Sequence, residues 1–113
     1  MNRKTFFGIC LIIFFAPLVV HGQPVMTSEP ITVREAAALP HDSWVILIGN
    51  IVNALPGGKN YTFRDSSGEI IVEIGSKHWR GLSVSASDRV QLYGEVKIKR
   101  GLVSIKVHAI RRI

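Results

Sequence analysis

Cysteine is almost missing from this sequence: the 113 residues include one, Cys10, and none follows it. Beyond that position there can be no disulfide, no thiolate nucleophile and no Cys-ligated metal. Acidic residues are also scarce, 8 against 14 lysines and arginines, for a net charge of +6. A surface with that balance favours anionic partners. Long hydrophobic runs are absent too, since the most apolar stretch, from Phe6 to Val20, covers only about 15 residues where a membrane-spanning helix needs ~20. Aromatics are 8% of the chain, too few to supply both a core and a base-stacking platform.

What the N-terminus does contain is Arg3 and Lys4 ahead of the apolar run, then the small residue Gly22 with Val20 at the third position back. That pattern predicts a secretory signal peptide over residues 1–22, cleaved after Gly22. Cys10 lies inside the apolar stretch, so lipoprotein processing is not expected. Cleavage leaves 91 of the 113 residues, enough for one small domain. Loss of Arg3 and Lys4 leaves 12 basic residues against 8 acidic, a net charge of +4. The expected location is the periplasm, with no transmembrane segment after cleavage and a monomer as the expected state. The anions within reach there are lipid head groups, cell-wall polymers and acidic protein faces, so nucleic acid is not an expected partner.

Residues 23–30 contain two prolines and no periodicity, and read as a flexible leader before a domain over 31–113. Thr32 with Glu35 three residues on is a capping-box signature, and Val33, Ala36, Ala37 and Leu39 form an apolar stripe that Pro40 ends, predicting one short helix. Five β-type runs follow: Trp44 to Val52, Tyr61 to Asp65, Glu69 to Ile74, Asp88 to Lys99 and Leu102 to Ile110. Alternation places Phe63, Ile70, Val72, Ile74, Val90, Leu92, Val96, Ile98, Val103, Ile105, Val107 and Ala109 on core-facing sides. Gly49 and Gly94 mark bends within strands, and Arg100 with Gly101 makes a tight hairpin connection. A non-strand insert around Lys77, His78 and Trp79 separates the third run from the fourth, with Trp79 expected to plug one barrel end. Three strands, an insert and two strands predict an all-β fold, a five-stranded OB-fold barrel with a short N-terminal helix.

Catalytic patterns do not emerge. His41, His78 and His108 are far apart and lack metal-ligand spacing; Pro56, Gly57, Gly58 and Lys59 sit between strands without the phosphate-loop signature; the serines lack a nucleophile elbow. No catalytic residue, metal or cofactor is expected. A binding module, rather than an enzyme, fits the residues.

Taken in order, Gly49 Asn50 Ile51 Val52, Tyr61 Thr62 Phe63 Arg64 Asp65, Ser67 Gly68, Val72 Glu73 Ile74, Trp79 Arg80 Gly81 and Tyr93 Gly94 Glu95 Val96 resemble the bacterial OB-fold (BOF) family, the YgiW/YdeI-type periplasmic stress tolerance proteins. The resemblance covers roughly residues 32–110 and implies an OB domain with a role in envelope stress tolerance. The family usually carries acidic residues after Gly-Glu-Val, where this chain has Lys97 Ile98 Lys99 Arg100. That departure implies a polyanion-facing loop. Lys97, Lys99, Arg100 and Lys106, extended by Lys59, Arg64, Arg111 and Arg112 and joined by the outward Tyr93, are therefore the expected binding residues. The expected ligand is an anionic envelope component or an envelope protein. An adaptor that modulates an envelope enzyme or outer-membrane protein is one alternative, and an oligosaccharide- or nucleic-acid-binding OB domain is another.

Overall fold

The computed structural model describes residues 22–113. The predicted signal segment, apart from Gly22, lies outside the described residues. In chain order the elements are β1 (Met26–Ile31), α1 (Val33–Ala37), β2 (Trp44–Ala54), β3 (Asn60–Asp65), β4 (Gly68–Glu73), α2 (Ser76–Trp79), β5 (Arg89–Lys99) and β6 (Leu102–Arg112). The sheet runs β1-β2-β3-β4-β6-β5, and a further pairing of β2 with β5 closes β2 to β6 into a five-stranded barrel. The closure leaves β1 outside, as the sixth strand. The barrel has the OB topology, in which the fourth and fifth strands form a hairpin and the third lies parallel to the fifth.

Alternation along each strand builds the core. Val45, Leu47 and Ile51 of β2, Phe63 of β3, Ile70 and Val72 of β4, Val90, Leu92 and Val96 of β5, and Ile105 and Val107 of β6 are buried, as is Ile74 just after β4. At about 25 cal/mol per Å² of apolar surface removed from water, this interior is the main source of stability. Ile98 and Val103 pack only partly against it. One strand departs from simple alternation. Tyr93 pairs with Ala109 but Gly94 pairs with Val107, so His108 is an extra residue in β6. This β-bulge resets the phase. The expected inward Ala109 is consequently exposed and Ile110 turns toward the core instead.

Two glycines permit the strand crossings. A Cβ on Gly49 would lie 2.3 Å from the carbonyl oxygen of Arg64, and one on Gly94 would lie 2.4 Å from that of Lys106. No side chain fits at either distance, so both bends require glycine.

The helix forms as its cap predicts. The Thr32 hydroxyl accepts from the Glu35 N–H at 3.1 Å, and the Glu35 carboxylate accepts from the Thr32 N–H at 2.9 Å. Val33 and Ala36 are buried, whereas Ala37, expected in the stripe, is exposed because the helix ends after five residues. Asp65 ties this helix to the β3–β4 turn. Its carboxylate accepts from the Val33 N–H at 2.8 Å and from the Ser67 N–H at 2.7 Å, and also takes the Ser67 hydroxyl at 2.6 Å and the Gly68 N–H at 3.2 Å.

Residues 26–30, expected to belong to a flexible leader, instead form strand β1 together with Ile31, parallel to β2 with Met26 opposite Trp44, Pro30 opposite Ile46 and Ile31 opposite Leu47. The cause is an edge. β3 pairs with β2 only from Asn50 onward, so the first half of β2 offers unsatisfied backbone groups that β1 fills. Buried Ser43 anchors the start of β1 by accepting from the Val25 N–H at 2.9 Å. Pro30, the one proline within β1, suits an edge strand.

Candidate functional site

A cleft of about 350 Å³ opens between the β2–β3 loop and the β5–β6 turn, lined by Leu55, Pro56, Ile71, Lys99, Leu102 and Val103 together with Asn60 and Ser104. OB folds bind ligands at this place, over the second and third barrel strands between those two loops. Its floor is apolar. Ile71 points outward at 43% exposure and Leu102 stands at 74%. A second recess of about 320 Å³ shares Ile71 and Val103 and continues the surface across Thr62 and Glu69 toward Ala37 of α1. Cationic groups sit at one rim: Lys99 lines the cleft, and Arg100 follows it in a turn where Arg100 (φ 53°) and Gly101 (φ 78°) both take positive φ. That geometry is a type I′ hairpin turn, whose twist matches the strands it joins.

A larger recess of about 380 Å³ lies between β1, α1 and the β3–β4 turn. Three of its polar groups, Thr32, Glu35 and Asp65, are already engaged in capping α1. It is a seam of the fold rather than a vacancy for a ligand.

The expected basic cluster does not assemble as one patch. Lys97 is only 25% exposed and its ammonium donates to Asp42 at 2.6 Å, with Glu95 at 3.5 Å. The Lys97 hydrogen bond holds the Asp42 carboxyl below its usual range, against partial burial, and Asp42 in turn pushes the lysine up. Arg64 is likewise committed, donating to Glu69 at 2.6 to 2.7 Å. Both expected binding residues thus stand in ion pairs. Arg112 donates to the Ser83 carbonyl and lies 3.8 Å from Asp88 at the far end of β6. β6 has 11 residues, so at ~3.3 Å each Arg112 stands some 30 Å from the Arg100 turn. Only Lys99 and Arg100 remain at the cleft. Lys59 and Lys106 meet elsewhere, in a depression of about 340 Å³ with Lys77, His78 and His108.

Tyr93 is outward, as expected, but far from the cleft and not alone. It stacks on Trp44 with ring centroids 5.0 Å apart, and Trp44 also faces His108 at 4.7 Å. The His108 Nε2 lies within hydrogen-bond reach of the Glu95 carboxylate, at 2.9 Å. His78 lies 5.9 Å from His108 although 30 positions separate them. The bulge aims His108 at this cluster, and no local sequence pattern announces it. Trp79 packs edge-on against Tyr61 at 5.5 Å and partly against the core, in keeping with its expected role as a plug. The outward residues of β3 and β4 include no aromatic side chain, which removes the stacking platform a polynucleotide-binding OB face uses.

Comparison with known proteins gives a consistent answer. The family model described as Bacterial OB fold (BOF) protein matches residues 20–112. The chain is 42% identical to Protein YgiW of Escherichia coli strain K12 over 82 residues, which is 73% of this chain and 62% of that protein. It is 36% identical to the calcium-regulated OB-fold protein CarO of Pseudomonas aeruginosa over 73 residues, 65% of this chain and 62% of CarO. It thus spans less than two thirds of the length of these relatives. Among solved structures, that of the hypothetical protein ygiW from E. coli superposes with a TM-score of 0.74 at 39% identity, covering 81% of this chain and 99% of that one.

Proposed function

Given that the chain belongs to the bacterial OB fold family, we propose that it is an exported, periplasmic binding protein that contributes to envelope stress tolerance by holding an anionic, partly apolar envelope component in the cleft between the β2–β3 loop and the β5–β6 turn. The observation that carries this reading is the pairing, in one cleft, of an apolar floor at Ile71, Leu102 and Val103 with Lys99 at its rim. A floor of that kind takes up acyl or other apolar groups through the hydrophobic effect. The cations at the rim, Lys99 and Arg100, select a negative head group and raise the encounter rate. No step of chemistry is required of the site.

A protein partner is the second reading, favoured by Leu102, which at 74% exposure stands clear of the hairpin tip. In that case the chain is an adaptor for an acidic, apolar-centred surface of an envelope protein.

Co-sedimentation with phosphatidylglycerol-containing vesicles, and with neutral phosphatidylcholine vesicles as control, tests the first reading. Binding is expected only to the anionic vesicles and weakens with salt. K99E/R100E weakens it by up to about a thousandfold at low salt, since phospholipid attraction is worth ~1 kcal/mol per basic residue and reversal doubles the loss at each of the two. L102D weakens it at any salt. Equal binding by wild type and both variants overturns the reading, and capture of a specific acidic protein in periplasmic crosslinking, lost in the same variants, supports the second.

A further inference from the structure

Which cations find partners and which do not divides the charged surface in two. Arg64, Lys97 and Arg112 each meet a carboxylate within 4.0 Å. Of the cations that meet none among the described residues, Lys59, Lys77 and Lys106 line a single depression of about 340 Å³. They arrive from three elements: Lys59 from the β2–β3 loop, Lys77 from α2 and Lys106 from β6. The wall also contains His78, His108 and Glu73. Lys59 is fixed by its own carbonyl, which accepts from the Ile74 N–H at 2.8 Å, so the loop is held against the end of β4 rather than swinging free. Glu73 and Glu95 flank Lys106 in the sheet register. Glu95 is already taken by His108 and Lys97, which leaves Glu73 as the one carboxylate on the wall.

We propose that this depression is a binding site for a phosphate monoester, its dianion held by Lys59, Lys77 and Lys106 with His78 at its wall. Three ammonium groups against Glu73 leave two positive charges unbalanced, and a phosphomonoester carries about −1.5 to −2 at neutral pH. Lysine binds phosphate as a point charge and tolerates its rotation, so three lysines from separate elements suit a tetrahedral group better than a planar carboxylate. His78 supplies an independent sign. Its Nδ1 is buried and has no hydrogen-bond partner among the described residues, an expensive arrangement for a polar atom. Burial, with the neighbouring charges of Lys77, His108, Arg80 and Lys106, holds this imidazole below the usual histidine pKa. A bound dianion reverses that balance. The site uses none of the cleft residues Leu55, Lys99 or Leu102 and stands whether or not the cleft binds an envelope component.

The test is an NMR titration of the full chain with inorganic phosphate at pH 7.5, against sodium chloride at matched ionic strength, with phosphatidic acid vesicles as a second arm. Saturating shifts at Lys59, Lys77, His78 and Lys106 are expected with phosphate, together with a rise in the His78 pKa. K59Q/K77Q/K106Q, at exposed positions that leave the core untouched, weakens phosphate binding by roughly tenfold or more, the factor for one lost charge-assisted hydrogen bond. R34Q, on α1, leaves it unchanged. A response to phosphate and vesicles alike identifies a lipid-borne phosphate as an accessible source, and a response to phosphate alone identifies a soluble one. Shifts no larger than those from sodium chloride, or a response to vesicles without one to phosphate, overturn the proposal.

Discussion

Asp65 concentrates more of the fold in one side chain than its sequence context suggests. It accepts from Val33, Ser67 and Gly68 and so closes the start of α1 and the β3–β4 turn at once. Partial burial opposes its ionisation, but the Ser67 hydroxyl and the three backbone N–H groups outweigh it and hold the carboxyl below its ordinary value of 3.8. A carboxyl whose pKa is depressed in the folded state contributes stability that is present above the unfolded pKa and is lost as pH falls through the folded one. Asp65→Asn, which keeps one acceptor, is therefore expected to cost about 1–2 kcal/mol at pH 6, the range for a lost cap. The gap between wild type and variant closes as pH drops below 3.8. Urea unfolding at pH 6 and pH 3 measures both values; an equal gap at the two pH values contradicts the assignment. His108 belongs to the same scale, because its position opposite no residue of β5 is what brings it beside Trp44 and Glu95.

At the scale of elements, the strand pattern, the Thr32–Glu35 cap, the bends at Gly49 and Gly94 and the Arg100–Gly101 turn were legible in the sequence, because each depends on residues close together in the chain. Elements that depend on tertiary geometry were not. β1 exists because β3 leaves half of one β2 edge unpaired, a vacancy that no property of residues 26–31 encodes. The pairing of Lys97 with Asp42 spans 55 positions, and the split of the basic residues into a cleft rim and a separate depression follows from the barrel closing. The bulge in β6 is hidden because Ala109 continues the apolar alternation of Val103, Ile105 and Val107, so nothing in the sequence marks His108 as an extra residue. Gly94 makes that bulge possible by letting β6 approach, and Gly94→Ala places a Cβ 2.4 Å from the Lys106 carbonyl oxygen. The expected cost is on the order of 3 kcal/mol, the upper end for overpacking. Chemical denaturation measures it, with loss of the Trp44–His108 proximity in NMR as the local sign; a variant as stable as wild type would show that the crossing tolerates a side chain.

For the whole molecule, the barrel is a scaffold that presents the apolar cleft with Lys99 and, apart from it, the histidine and lysine depression, which His108 joins to the Trp44–Tyr93 stack. Membership of the bacterial OB fold family fixes the scaffold, and the side chains this chain places on it, such as Lys99 at the cleft rim, fix what the scaffold presents. The central claim is that the cleft binds an anionic envelope component. It is tested most directly by following backbone amide shifts of the protein while titrating lipopolysaccharide and, in parallel, a neutral polysaccharide, at two salt concentrations. Shifts are expected with the anionic polymer alone, concentrated at Leu55, Ile71 and Lys99 to Ser104 and reduced by salt. Shifts of equal size with the neutral polymer, or none at those residues with either, would contradict it.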